Sequence, residues 1–206
     1  MKIAKDGFPT IAALVFMAAG GYLISPWITL ALAFPLAMSV WFYRDPERVP
    51  GNVSPGVWLS PADGRIVEIE EASDQYAGNV TKIGIFMNGF DVHVNRFPFE
   101  GTIEEITYVP GKKWFAIAPK ASEINERLYV RAATPHGRMT LVQIAGIMAR
   151  RITCYAKHGS HLARGERYGM IKLGSKVDIF LPPSISPSVK IGDKVRAGET
   201  VIGVIK

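Results

Sequence analysis

The sequence predicts a mainly β domain of barrel-sandwich type, with few helices, preceded by an N-terminal apolar helical hairpin. Three observations predict it: a long charge-free apolar stretch near the N-terminus, a series of short apolar segments separated by turn residues, and two segments in which glycines punctuate β-branched residues. The 206 residues suit one globular domain plus a short accessory segment. With 48% hydrophobic and 20% charged residues, the chain has the balance of a polypeptide that buries a core.

The hairpin occupies residues 1–43. No Asp, Glu, Lys or Arg occurs from Gly7 to Tyr43. Ser25-Pro26 divides this stretch, because proline lacks an N–H and disfavours helix at the residue before it. The pieces left, Phe8–Ile24 and Pro26–Phe42, sit at the short end of what spans a hydrocarbon core, so two thin spans or one re-entrant hairpin fit better than a single tilted helix. Lys2 and Lys5 precede the stretch, and Arg44 and Arg48 follow it. Positive residues on both flanks predict that both ends face the cytoplasm, with Trp27, Trp41 and Tyr43 available as interfacial anchors. A cleaved signal peptide is excluded by the length of the run. The expected location is the cell membrane, with the remaining domain on its cytoplasmic side.

Residues 44–206 have a different texture. The segment RDPERVPGNVSPGVWLSPADG is a Pro- and Gly-rich linker that becomes a turn. Strands are predicted at Arg65–Glu70, Val80–Phe86, Gly101–Val109, Leu128–Ala133, Met139–Ile147, Ile152–Tyr155, Val177–Leu181 and Val201–Ile205. The one soluble helix is expected near Pro119–Arg127. SPADGRIVEI and VKIGDKVRAGETVIGVI have the glycine-turned texture of lipoyl-type barrel-sandwich hairpins, without the lysine-bearing tip such carriers use.

Composition narrows the function. The single cysteine, Cys154, rules out an internal disulfide and a cysteine-based zinc site, and its alternating apolar surroundings mark it as a core residue. His158 and His161 lack the further ligands a metal needs, so no metal is expected. The net charge of +6 favours anionic partners, but the basic residues are scattered, and no arginine stripe interleaved with aromatics suggests nucleic acid.

The chemistry points to YGMIKLGSKVDIFLP, where Ser175 begins a strand directly after Gly174. Taken alone, a Gly-Ser pair is an ordinary turn, Asp63 in an Asp-Gly pair is a turn residue, and His93 is a structural histidine. In company they read differently. Leu173-Gly174-Ser175 resembles the autocleavage motif of the phosphatidylserine decarboxylases. LSPADG (59–64), FDVHVNRFP (90–98) and RGERYGMIKLGS resemble further motifs of that family, in the same order and across the whole of residues 44–206. The wording Val-His-Val-Asn-Arg suggests its compact bacterial and archaeal branch.

The resemblance implies a self-processing enzyme. Ser175 Oγ would attack the Gly174 carbonyl. The cut would yield a large fragment, 1–174, and a small one, 175–206, held together as a heterodimer, with a higher oligomer also possible. Residue 175 would become a pyruvoyl group, the covalent cofactor that forms a Schiff base with phosphatidylserine in the membrane and yields phosphatidylethanolamine and CO2. By the same resemblance His93 and Asp63 are the catalytic partners of Ser175: an imidazole suits proton transfer near neutral pH, and a carboxylate orients it. Larger members carry a second histidine where this chain has Arg96, so either His93 serves both steps or another histidine, His158 or His161, substitutes. Arg96 is a candidate partner for the substrate phosphate, or else a surface charge. Phe86, Phe90 and Phe97 are candidates for an apolar wall. A membrane-anchored adaptor without catalysis would share this architecture but keep an intact chain.

Overall fold

The computed structural model describes residues 2–48, 54–112, 114–115, 121–146, 151–172 and 175–206. They form two compact units, Met1–Glu47 and Arg48–Lys206.

In the first unit two helices follow one another, α1 (Phe8–Tyr22) and α2 (Pro26–Phe42). The extended Ser25 and the proline at the first helical position set the break where the sequence placed it, since that position has no intrahelical partner for an N–H. The Thr29 hydroxyl donates to the Ala18 carbonyl at 2.9 Å. A Cβ on Gly21 would come within 2.6 Å of Ile28 Cγ2, so the bare backbone there permits the close approach of the helices. The short strands β1 (Lys2–Ile3) and β2 (Arg44–Asp45) pair antiparallel and bring the ends of the unit together. The Arg44 guanidinium lies 4.2 Å from the centre of the Trp41 ring. Phe16, Leu23, Ile24 and Trp27 are each at least three-quarters exposed. Among the described residues no helix is long and apolar enough to cross a membrane.

The second unit is mainly β. Along the chain run β3 (Val57–Leu59), β4 (Gly64–Asp74), β5 (Gly78–Met87), β6 (Val94–Arg96), β7 (Gly101–Val109), the one-turn helix α3 (Ala121–Ile124), β8 (Arg127–Thr134), β9 (Gly137–Ala145), β10 (Ile152–Cys154), β11 (His161–Leu162), β12 (Arg167–Ile171), β13 (Ser175–Leu181), β14 (Ile185–Pro187), β15 (Lys194–Val195) and β16 (Val201–Ile205). Eight of these form one antiparallel sheet in the order β11-β7-β8-β9-β13-β5-β4-β15. Two three-stranded sheets, β10-β12-β6 and β14-β16-β3, complete the unit.

Alternation explains the layers. In β8, Leu128, Val130 and Ala132 are buried while their neighbours are half-exposed. In β13, Val177, Ile179 and Leu181 enter the same core as Ile83 and Ile85 of β5 and Met139 and Leu141 of β9. Local chemistry closes the β4–β5 hairpin: the Asp74 side chain accepts from the backbone N–H of Tyr76 (3.1 Å) and Ala77 (2.8 Å), and Gly78 takes the positive φ the turn requires.

The predicted strands Gly101–Val109 and Val201–Ile205 have the predicted ends, and the other six correspond to β4, β5, β8, β9, β10 and β13 with shifts at their termini. The far end of the predicted Met139–Ile147 strand and the first residues of the predicted helix lie outside the described residues; within them the helix is only the single turn α3. The short strands β6 and β12 escaped the reading because three and five residues are too few to show a clear period.

Gly64 is the tightest point of the large sheet. Its φ is +145°, and a Cβ there would overlap the Phe86 carbonyl oxygen. Gly64→Ala, made in an uncut Ser175→Ala chain, is expected to lower the unfolding free energy by more than about 1 kcal/mol, because both conformation and space oppose the methyl group. Urea titration checks this; an unchanged midpoint would contradict it.

Candidate active site

Ser175 is the first residue of β13 and is wholly buried. Its position follows from double-sided pairing: Ser175 lies opposite Met87 at the end of β5 and opposite Ala145 at the end of β9. Its side chain shares a face with Val177, so it points into the core side of the sheet. Ser175 Oγ has no hydrogen-bond partner among the described residues. Leu173 and Gly174, the other two residues of the predicted cleavage motif, lie outside the described residues.

Two routes bring His93 to this place. From Met87 the chain turns through Asn88–Asp91, a turn fixed by bonds from the Asn88 N–H to the Asp91 carboxylate (2.9 Å) and from the Phe90 N–H to the Asn88 side chain (2.8 Å). His93 follows directly. From the other side, the Ile171 N–H donates to the His93 carbonyl at 3.3 Å, four residues before Ser175. The orientation of β6 is fixed by Asn95, whose Nδ2 donates to Met87 Sδ (3.7 Å) and whose Oδ1 accepts from Gln143 Nε2 (2.7 Å). Gln143 lies opposite Val177, so the face of β6 that carries Asn95 looks onto the face of the large sheet that carries Ser175. His93 directly precedes β6, two residues before Asn95.

The imidazole of His93 is wholly buried. Its Nδ1 lies 2.9 Å from the Asp91 carbonyl oxygen. A carbonyl only accepts, so in the neutral ring Nδ1 carries the proton and Nε2 the basic lone pair.

Asp63 sits in the loop between β3 and β4, packed against β6 by the bond from the Arg96 N–H to the Pro61 carbonyl (2.9 Å). Its carboxylate is gripped on both oxygens. Arg48 donates through Nη1 to Oδ1 and through Nη2 to Oδ2 (2.8 Å), and the Ala197 N–H donates to Oδ1 (2.8 Å). The pair is nearly buried and is bidentate, the strongest form such a contact takes. Arg48 itself was read in the sequence only as a flanking charge.

Arg96 is no surface charge. It is buried, and its guanidinium donates to the Gly165 carbonyl at 3.0 Å. Phe97 is also inside, edge-on to Tyr168 with ring centres 6.2 Å apart. Phe86 is half-buried on β5. Phe90 is the exposed one, 73% open at the tip of the Asn88–Asp91 turn. His158 is exposed, and His161 lies on β11, the edge strand, separated from β13 by β7, β8 and β9. Neither is placed beside Ser175 by any strand pairing among the described residues. Sequence reasoning missed Asn95 and Gln143. Gln143 was visible as the one polar residue in the apolar run LVQIA, a placement that requires a buried partner, whereas Asn95 stands among other polar residues in VHVNR and carries no such signal.

The phosphatidylserine decarboxylase family model matches residues 36–203. The chain belongs to the phosphatidylserine decarboxylase family. It is 44% identical to the phosphatidylserine decarboxylase proenzyme of Cupriavidus pinatubonensis, over 97% of this chain and 94% of that one. To the proenzyme of the same name from Oleidesulfovibrio alaskensis it is 45% identical, over 100% and 95%. The Nitrosomonas eutropha proenzyme is 44% identical, over 97% and 94%.

In this decarboxylase Cys154 packs partly buried against the core, its thiol donating to the Ala156 carbonyl at 3.7 Å. Burial pushes its pKa up, with the backbone bond at Ala156 opposing weakly. Because the thiolate is the reactive form, alkylation by iodoacetamide at pH 8 is expected to run at least about tenfold slower than in the urea-unfolded protein, as followed by mass spectrometry. Equal rates would place the thiol in an activating environment instead.

Proposed function

We propose that the chain cuts itself between Gly174 and Ser175, and that residue 175 then carries a pyruvoyl group with which the protein converts phosphatidylserine to phosphatidylethanolamine and CO2. The observation that carries this reading is the state of Ser175: a buried hydroxyl without a partner among the described residues, at the first position of a strand paired on both sides. The relatives are named proenzymes, which supports a processing step.

The residues present fit the pyruvoyl group. Losing the serine hydroxyl orphans no described hydrogen-bond partner, so the fold gives up nothing there. The backbone pairing from residue 175 onward holds the new terminus without help from the segment before it. The group supplies an electron sink for the carbon that loses CO2.

In self-processing, Ser175 Oγ attacks the carbonyl before it and forms an ester. Elimination frees the carboxylate of residue 174, and hydrolysis of the resulting dehydroalanine releases ammonia. A serine hydroxyl needs a base for the first step, and the lone pair on His93 Nε2 is the basic site this fold offers. The same imidazole, once protonated, returns a proton to the carbon that has lost CO2. Asp63, immobilised by Arg48 and the Ala197 N–H, completes the proposed catalytic set. Phe90 is the proposed contact on the substrate side, while Arg96 and Phe97 shape the interior beneath it. The fragments 1–174 and 175–206 remain together as a heterodimer through strand pairing, and the curled sheet is read as a barrel-sandwich.

The helices of the first unit supply the meeting with the lipid. Their exposed apolar side chains are more than a soluble surface carries without a purpose, and their lengths suit a hairpin that dips into one face of a bilayer. The catalytic domain then lies on the cytoplasmic side of the cell membrane.

Intact mass of the purified protein, beside Ser175→Ala and His93→Ala, tests the reading. Two chains split before residue 175, an uncut Ser175→Ala and a His93→Ala slowed by about 10²–10⁴-fold are expected. A whole wild-type chain in the presence of phosphatidylserine vesicles would overturn it and favour a non-catalytic membrane adaptor.

A further inference from the structure

On the face of β13 opposite Ser175 lies a group of charges the reaction does not use. Lys176 and Asp178 follow Ser175 directly and are buried, at 5% and 2% exposed. The Lys176 ammonium contacts Glu68 on β4, Asp178 at 3.0 Å, and the Ser122 hydroxyl of α3 at 3.1 Å. Ser122 in turn donates to the second oxygen of Asp178 at 2.9 Å. Lys82 on β5 bonds Glu68 and Glu70, each at 3.0 Å. Gly84, opposite both Glu68 and Asp178, leaves the passage: a Cβ there would come within 2.6 Å of Lys176 Cε.

We infer that this network is a register lock: Lys176 and Asp178 are positioning residues that hold the start of β13, and with it residue 175, in place once the chain is cut. This rests on the self-processing reading above. The argument is one of specificity. The core face of β13 offers Val177, Ile179 and Leu181, similar apolar residues in alternation. A slip of the strand by two residues keeps every side chain on its face and exchanges one apolar residue for another. It also moves residue 175 by about 7 Å along the sheet. On the charged face the same slip sets Lys176 opposite Gly84, where Asp178 had stood, and breaks the contacts to Glu68 and Ser122. Before the cut, continuity with residue 174 also resists the slip. Afterwards these contacts are what distinguish one register from the next. Fixing register is the best-attested use of buried polar groups, whose contribution to bare stability is small.

The balance of the two acids fits the assignment. Burial opposes the charge on Glu68, but its bonds to Lys176 and Lys82 prevail and hold its pKa below the usual value. For Asp178 burial prevails and the pKa rises despite the same lysines. The network thus does not maximise stability, which leaves register as its use.

The test replaces the charges by apolar groups of similar size, K176M/D178L, in the full chain and again in the uncut S175A background. Such replacements often leave stability equal or raise it, so a thermal midpoint near that of the parent is expected. In the split protein, hydrogen exchange over residues 175–181 should accelerate at least about tenfold, with little change in the uncut background, because only the split chain is free to slip. Decarboxylation should lose about tenfold in kcat with KM nearly unchanged, the mark of a misplaced reacting group rather than weakened binding. Parental exchange and kcat in the split variant would overturn the lock alone. A wild-type chain that never splits would overturn the self-processing reading and the lock with it. If K176M/D178L yields no folded protein, E68Q at the half-exposed end of the network carries the same two measurements, and wild-type values there overturn the proposal.

Discussion

The pairing of β13 on both sides is the constraint on which the rest of the protein depends. Ser175 is buried at the very start of a strand clamped between β5 and β9, and from this residue to the end of β13 the backbone is held by two ladders of hydrogen bonds. The ends of those neighbouring strands then carry the rest of the site. β5 ends at Met87, and the turn beyond it delivers His93. β9 ends at Ala145, whose carbonyl accepts from Asn125 at 2.8 Å.

A second layer gives this arrangement its direction. The small sheet β10-β12-β6 lies over the start of β13, and its orientation is set by two amides, Asn95 and Gln143, bonded to each other inside the core. A buried amide pair is costly to misplace, because each group left unbonded keeps its full desolvation penalty. It is therefore well suited to specify which face of β6 looks inward, with His93 directly before that strand. Asp63 is fixed by a different device, a two-pronged arginine contact and one backbone N–H.

What the sequence made legible was local. The break before α2 is written in Ser25-Pro26, the start of β13 in the alternation after Gly174, and the family in four ordered motifs. What stayed hidden depended on partners remote in the chain. Asp63 reads as a turn residue until Arg48 and Ala197 are seen to grip it, and Ala197 lies across the fold. Lys176 reads as the solvent-facing half of an amphipathic strand, because nothing near it signals that Glu68 and Ser122 will cover it. Arg96 looked like a ligand or a surface charge for the same reason. The place of His161 on the far edge of the large sheet was hidden too, because strand order is a property no local pattern encodes.

The strands after the cut bear on how long such a protein lasts. β13 pairs with β5 and β9, β15 with β4, and β16 with β3, so the piece beginning at residue 175 is sewn into four strands of the piece before it. A diffusible coenzyme can leave a damaged enzyme and be replaced from a pool. A reactive terminus at residue 175, as proposed, would be part of the weave, and exchanging it would mean unpicking two sheets. Each molecule would then be equipped once, and repair of a spent terminus would amount to synthesis of a new protein.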